Sequence, residues 1–416
     1  MDGRAGVRAS TSTVTSPLAL AGHPSTTKQT NNGTTARHTN GGIVDQRPAD
    51  RQALGDPLPY RVMSRVYLAP CRASDSDQEL ARVTEALWHR AGFDDIFEAR
   101  DLPALKLHVG EPGTKTFVRP AIAAALVRCM AATGAAPFLT DTAVLYRSRR
   151  DNAVGHAQVA QEHGFGFEAV GAPFIPADGL NGAEEIDVTV DGEHCQQVSI
   201  ATGIMHARSM LVLSHATGHL GTGMGGALKN LGMGCSSKRA KLRQHHGQQP
   251  RIDEDSCTAC GTCADWCPSD AIEVNDYAVI DDQTCIGCGE CVAVCRDDAV
   301  RFDWAIGGRE LQERIVEHAA AVVRRKPERI GYVTAAMAIT KDCDCLGLDQ
   351  EPLCEDIGLL ASRDPVAIDQ AVLRLFQERA GQSIESLSYP KTDATIQLAH
   401  GERMGLGQRD YELVMV

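Results

Sequence analysis

Two patterns of apolar and polar positions alternate along most of the chain: short apolar runs, and longer stretches with helical periodicity. Residues 65–69 read as a strand. Residues 77–90 read as a helix opened by Ser76, with Glu79 three positions on, the spacing of a capping box. A second strand over 105–109 leads to an alanine-rich helix over 118–132 that stops before Gly134, then to a strand over 137–140 and a helix over 153–163. This order predicts an α/β fold with a mainly parallel sheet. Residues 186–199 break the rhythm as a hairpin about Asp191-Gly192, and 209–214 resume as a buried strand. Beyond 305 the first texture returns, with a helix over 309–325 and a strand over 330–336. A helix over 365–380 closes the series, with Asp364 as its N-cap, Pro365 at its first position and Gly381 as its stop.

The chain's 416 residues leave room for two to three domains at about 150 residues each. Residues 1–58 are rich in Ser, Thr, Asn, Gly and Ala and read as a disordered tail or a mis-called start. Their longest apolar stretch, 18–21, is too short for the core of a signal peptide. Elsewhere no apolar run approaches the ~18 residues of a membrane span, so none is expected. The net charge of −13 argues against nucleic acid as the main partner, because phosphate contacts need a basic surface. With no export signal and a metal-type cysteine motif, a cytoplasmic location is expected.

Among the 15 cysteines, eight form a repeat. Cys257, Cys260, Cys263 and Cys267, followed by Pro268, recur 28 positions later as Cys285, Cys288, Cys291 and Cys295. Such spacing wraps three thiolates around one iron–sulfur cubane and sends the fourth to the other. Cys257, Cys260, Cys263 and Cys295 are thereby assigned to one [4Fe–4S] cluster, and Cys285, Cys288, Cys291 and Cys267 to a second. Zinc sites use separated pairs rather than runs of four. The stretch is similar to a bacterial dicluster ferredoxin, departing from it at Arg296, where the first repeat has Pro268. The reading is therefore an α/β core over 59–250 and 305–416, interrupted by a small α+β ferredoxin-like domain over 251–304. Residues 252–303 hold 13 acids against Arg296 and Arg301, a balance of −11 that leaves −2 for the rest of the chain. This acidic face either docks a basic partner or serves solubility. Just upstream, Lys238, Arg239, Lys241, Arg243 and Arg251 form an acid-free basic run that either docks on the insert or is a solvated linker.

A second constellation comprises Cys235, Cys343, Cys345 and Cys354. Close thiolates suit a further metal or cluster, or a redox thiol; the alternative is that small cysteines fill core gaps. Cys343 and Cys345 flank one residue, and on a strand they would share a face. Cys235 ends a glycine-rich run from Gly221, in which Lys229, and Lys238 beyond it, offer anion contacts. Gly221, Gly223 and Gly226 match a dinucleotide fingerprint only formally, since no tight strand-turn-helix or following acid accompanies them. Residues 110–115 form a loop after a strand that faces the expected cleft.

The stretch from His215 through residues 226–238, the dicluster insert, residues 341–345 and residues 364–369 together resemble the iron–sulfur-centre protein family known as domain of unknown function 362. The resemblance covers about 62–400 and implies a redox-linked protein without naming a reaction. Two functions follow. In the first, an oxidoreductase or reductase component, the clusters exchange electrons with a small-molecule site in the α/β core, where Cys235, Cys343, Cys345 and Lys229 are the catalytic candidates. In the second, an electron carrier or accessory protein, the α/β part recognises a redox partner without catalysis.

Overall fold

The computed structural model describes residues 63–245, 250–285, 287, 289–297, 299–301 and 308–416. The expected tail over 1–58 and the cluster candidate Cys288 lie outside these residues.

Strands β1 (Ser64–Ala69), β2 (Ala104–Lys106) and β3 (Phe138–Thr140) are followed by a hairpin of β4 (Glu185–Thr189) and β5 (Gln197–Ala201), and then by β6 (Met210–His215). A small hairpin of β7 (Thr217–His219) and β8 (Gly223–Gly225) comes next, and then β9 (Arg251–Ile252), β10 (Ile272–Val274), β11 (Ala278–Ile280) and β12 (Val300–Arg301). Three more complete the order: β13 (Ile330–Ala336), β14 (Gly358–Ser362) and β15 (Tyr411–Met415). The central sheet has seven strands in the order β15-β1-β14-β13-β6-β2-β3. Only β14 runs against its neighbours; β15 on β1, β13 on β6, β6 on β2 and β2 on β3 are all parallel. The expected mainly parallel sheet is therefore present, with one antiparallel strand set into it.

Both faces of the sheet are covered, as parallel sheets require. Along β6, Met210 and Val212 enter one apolar cluster while Leu211 and Leu213 enter the other. The first cluster is closed by helices Arg309–Arg325 and Pro365–Ala380, the second by helices Asp77–Ala91 and Pro120–Ala132. Helix Asp77–Ala91 buries Leu80, Val83, Thr84, Leu87 and Trp88, one face at helical spacing. Ser76 caps it by accepting from the Glu79 amide, but the Glu79 carboxylate turns to Arg82 at 2.6 Å, so the reciprocal half of the capping box is not made. Asp364 accepts from the amides of Val366 and Ala367 and so caps helix Pro365–Ala380. One turn on, Asp369 accepts from Ala227 (2.7 Å) and Leu228 (2.9 Å) and caps the short helix Ala227–Gly232. Burial, opposed by those two amides, raises the Asp369 carboxyl to about 7.

The glycine-rich run takes a different course from a nucleotide loop. Gly221 to Gly226 span the β7–β8 hairpin, and a Cβ at Gly232 would meet the Ile315 carbonyl at 1.9 Å. Gly232 lets the helix carrying Lys229 pack hard against helix Arg309–Arg325, while Gly223 and Gly226 lie against Ala394 and Asp369. They approach the protein's own groups rather than a ligand.

Residues 251–301 repeat their structure as they repeat their sequence. Strand β9 pairs with β12 and β10 with β11, both antiparallel. Each half carries one short helix, Thr262–Asp265 or Glu290–Val294, begun by Gly261 or Gly289 at the same φ of 78°. That left-handed conformation explains glycine at both positions. The insert is seated on helix Lys238–Gln244, where Arg239 pairs with Glu290, and Leu242 and Leu145 enter the insert's own apolar cluster. The basic run is thus neither a solvated linker nor wholly a dock for the insert. Arg239 faces both sides, pairing with Glu290 and with Glu185; Lys241 donates to Thr142 (2.6 Å) and Arg243 to Ser199 (2.6 Å), both in the α/β core. Among the described residues no helix is long and apolar enough to cross a membrane.

Candidate functional site

Strands β2, β3, β6 and β13 are mutually parallel, so their carboxyl ends share one edge of the sheet. In open α/β sheets that edge is where ligands bind, because the following loops converge there. Lys106, His108 and Glu111 arrive from β2; Asp141, Tyr146 and Arg150 from β3; His215, Lys229 and Asn230 from β6; and Cys343 to Cys345 from β13.

The floor is ionic. Lys106 Nζ lies 2.9 Å from Asp141 Oδ1 and donates to Asn230 Oδ1 at 2.6 Å, with both charged side chains out of solvent. Burial alone would raise the Asp141 carboxyl, yet Lys106 and His156 hold it well below the usual carboxylate range. His156, fully buried, is pushed down to about 4 by desolvation and is neutral. Along one wall, Arg150 donates through Nε (2.8 Å) and Nη2 (2.7 Å) to Glu111 and through Nη2 to the Tyr146 hydroxyl (2.6 Å). That hydroxyl donates in turn to the carbonyl of Cys345 at 2.9 Å. The 110–115 loop faces the cleft as expected, for the Glu111 amide donates to the Asp344 carbonyl at 2.9 Å.

Residues 343–346 form a turn, closed by the Leu346 amide on the Cys343 carbonyl at 3.0 Å, rather than the expected strand. The turn still brings the two thiols together, beside one ammonium. Lys229 Nζ stands 3.8 Å from Cys343 Sγ and 4.0 Å from Cys345 Sγ, and His108 Nε2 lies 3.6 Å from Cys345 Sγ. The interaction with Cys345, then burial, pushes Cys343 well up. The interaction with Cys343, helped by Lys229 against burial, pulls Cys345 well down. Within the pair, Cys345 is the more readily ionised thiol. Burial opposes a charge on Lys229 as well, but the two sulfurs and Asp344 outweigh it and keep the ammonium protonated. Between the thiols, Asp344 turns inward to His215 Nδ1 at 2.9 and 3.0 Å, while His215 Nε2 donates to the Met337 carbonyl at 2.8 Å. With both ring nitrogens bonded to acceptors, His215 is raised despite burial, and the pair is an imidazolium and a carboxylate. His219 faces the other way: burial and then Lys229 push it well down, and its Nδ1 accepts from the amides of Gly221 and Thr222 at 3.1 Å.

Of the sequence candidates at this edge, the fold brings Lys229, Cys343 and Cys345 together. It does not bring Cys235 or Cys354 to them. Cys235 is fully buried in the first apolar cluster with its thiol on the Asn230 carbonyl at 3.8 Å, and burial pushes it up to about 11. Cys354 packs on the outside of that cluster and is raised by burial. Lys238, offered as an anion contact, is buried against Gly182. A four-cysteine metal site is thereby corrected to a thiol pair. Among the described residues the one trio of His, Cys, Asp or Glu ligand atoms within 4.8 Å of each other is Glu193, His194 and Glu313, far along the chain from both cysteines.

In the insert, two cavities take up the repeat cysteines in a crossed pattern. One, with about 340 Å³ of empty space, is lined by Cys257, Cys260, Cys263 and Cys295. The other, about 290 Å³, is lined by Cys267, Cys285 and Cys291. Backbone amides point at the sulfurs: Ala271 at Cys267 (3.2 Å), Ala299 at Cys295 (3.3 Å) and Ala278 at Cys257 (3.4 Å). Sulfurs around one zinc lie about 3.8 Å apart, since each bond is about 2.3 Å. None of these described cysteines forms a trio even within 4.8 Å.

His108, Asp141, Tyr146 and Arg150 were not singled out by the sequence. Their shared signal is position, just past the ends of two apolar strands, and no local motif marks them.

A family model described as Domain of unknown function (DUF362) matches residues 104–374. No curated protein matches the sequence. Among solved structures, the lactate racemase apoprotein from Thermoanaerobacterium thermosaccharolyticum is similar at 10% identity and a TM-score of 0.33, over 66% of this chain and 51% of that one. A structural-genomics protein from Thermotoga maritima is similar at 9% identity and a TM-score of 0.32, over 62% of this chain and 50% of that one. The chain thus spans about half the length of either structure.

Proposed function

This chain belongs to the DUF362 family, and from that premise we propose that it is an iron–sulfur redox protein whose insert holds two [4Fe–4S] clusters serving the thiol site of the α/β core. The observation that carries the reading is the crossing of the two repeats: each cavity takes its thiols from both. Cys257, Cys260, Cys263 and Cys295 would hold one cluster, and Cys267, Cys285 and Cys291, joined by Cys288, the other. Bound there, a cubane supplies single electrons at low potential.

The chain's own residues do the rest. The amides of Ala271, Ala278 and Ala299 stabilise charge on the sulfurs, while the acidic surroundings disfavour added electrons. Leu145 and Leu242 close the apolar cluster around Cys263 and Cys291 against water. Tyr146, next to Leu145, holds the Cys345 backbone, so a continuous packed route joins the insert to the thiol pair. At the far end Lys229 keeps positive charge beside Cys345, where an anionic substrate group or a thiolate is favoured.

Anaerobically purified protein is expected to contain about eight iron and about eight sulfide per chain, with a spectrum of reduced cubanes by electron paramagnetic resonance. Zinc in place of iron after anaerobic reconstitution would overturn the reading. The physiological partner in this proposal is a cytoplasmic redox protein with a basic face. It would dock on the acidic insert near Trp266, which is 59% exposed between Cys263 and Cys267. Electron exchange with a basic donor should then slow as salt rises past about 0.1 M, where the Debye length is ~10 Å. A rate indifferent to salt in stopped-flow measurements would place the docking face elsewhere.

A further inference from the structure

We infer that Cys343 and Cys345 are a redox-active dithiol that takes a disulfide as its substrate, Cys345 attacking and Cys343 resolving. The inference rests on the proposed clusters only for its source of electrons. The geometry argues against the two other uses of such a pair. A packing role fits poorly, because both side chains are only partly buried and lie at the ligand edge of the sheet. A metal role fits poorly because Lys229 places an ammonium 3.8 and 4.0 Å from the two sulfurs, where a cation would sit. Nor does either thiol belong to a trio of ligand atoms within 4.8 Å among the described residues.

Disulfide chemistry fits each feature. Two residues of chain span at most about 7 Å, close to the upper end of the Cα range of a disulfide, and the turn at 343–346 shortens that span. A nucleophilic thiol needs a nearby positive charge to exist as thiolate, and Cys345 has the Lys229 ammonium beside it. A resolving thiol needs to be close, and the turn sets Cys343 beside the same Lys229 ammonium as its neighbour.

The step balances as follows. Cys345 thiolate attacks one sulfur of the substrate disulfide, the substrate S–S bond breaks, and the first substrate thiolate leaves and takes a proton. Cys343 loses its proton and attacks Cys345 Sγ in the mixed disulfide, which expels the second substrate thiol and forms the Cys343–Cys345 bond. The substrate has gained two electrons and two protons; the pair has given up both electrons and the Cys343 proton, and solvent has supplied the second proton. Two electrons, which the two proposed clusters would supply one each, together with one proton would break the internal bond and restore the thiol–thiolate pair.

Oxidised glutathione is a suitable disulfide probe on the full-length anaerobic protein, reduced and freed of excess reductant. After acid quench and alkylation, trypsin releases residues 342–363 as one peptide holding Cys343, Cys345 and Cys354. The wild type is expected to yield that peptide two hydrogens lighter, with Cys354 alkylated as an internal control. Cys343→Ser should trap glutathione on Cys345, whereas Cys345→Ser should react at least about 10-fold more slowly at Cys343. Lys229→Met should slow the reaction about 10-fold at pH 7, with the deficit closing above the ordinary thiol pKa of ~8.5, and Lys229→Arg should retain the wild-type rate. No internal disulfide, equal participation of Cys354, or faster capture at Cys343 than at Cys345 would each overturn the inference. Iron and sulfide, measured on the same samples, separate the two readings. A normal dithiol reaction in protein without iron counts against the clusters and supports the dithiol; full iron with unreactive thiols does the reverse.

Discussion

Cys267→Ala is expected to cost about half of the bound iron, roughly four atoms of eight. The loss should fall on the cluster of the second repeat, although Cys267 lies in the first. Its sulfur shares a cavity with Cys285 and Cys291, and the other cavity takes Cys295 in exchange. Pairwise variants test the crossing. Adding Cys285→Ala to Cys267→Ala should remove little further iron, since both damage one cluster. Adding Cys257→Ala should remove nearly all of it, since each then damages a different one. The opposite pattern, measured as iron and sulfide per chain, would mean that each repeat closes on its own cysteines.

Lys106→Met should destabilise the α/β core by about 3–5 kcal/mol at pH 7, because it leaves Asp141 ionised, buried and without its nearest cation. The neighbouring Arg150, 3.9 Å from Asp141, is committed to Glu111 and replaces little of that contact. The pH dependence has a definite sign. Asp141 is depressed in the folded protein, so its stabilising contribution is present above the ordinary Asp value of 3.8 and is lost as pH falls below it. In the variant the depression is smaller and protonation relieves the buried charge earlier. The gap in urea midpoint between wild type and variant is therefore expected to be wide at pH 7 and to narrow toward pH 4. A gap of equal width at both values would show that Lys106 acts by packing alone.

Much of the scaffold could be read from the chain because its helix ends carry their own chemistry. Asp364, Pro365 and Gly381 delimit a helix whose bounds match the sequence reading, and Ser76 does so at the start of another. Strand β14 was not legible. Its five residues, Gly-Leu-Leu-Ala-Ser, carry no alternation, being buried on both faces, and its antiparallel insertion between β1 and β13 is decided by tertiary pairing. Strand β15 is largely exposed and lacks the buried periodicity that marks an element. In the site, Cys343, Cys345 and Lys229 stood out by residue type and spacing, and the fold does bring them together. Cys235 stood out equally, but the close packing allowed by Gly232 carries it into the apolar core. His108, Tyr146 and Arg150 lie in loops, and only the convergence of parallel strand ends gives them a common place.

The account as a whole meets its most direct test in a reductive titration of the anaerobic protein, first treated with oxidised glutathione and then freed of it. The wild type is predicted to take up about four electrons, one for each cubane and two for the Cys343–Cys345 bond. The Cys343→Ser, Cys345→Ser double variant should take up about two, with the same iron content. Equal uptake by the two proteins, or no uptake by iron at all, would contradict it.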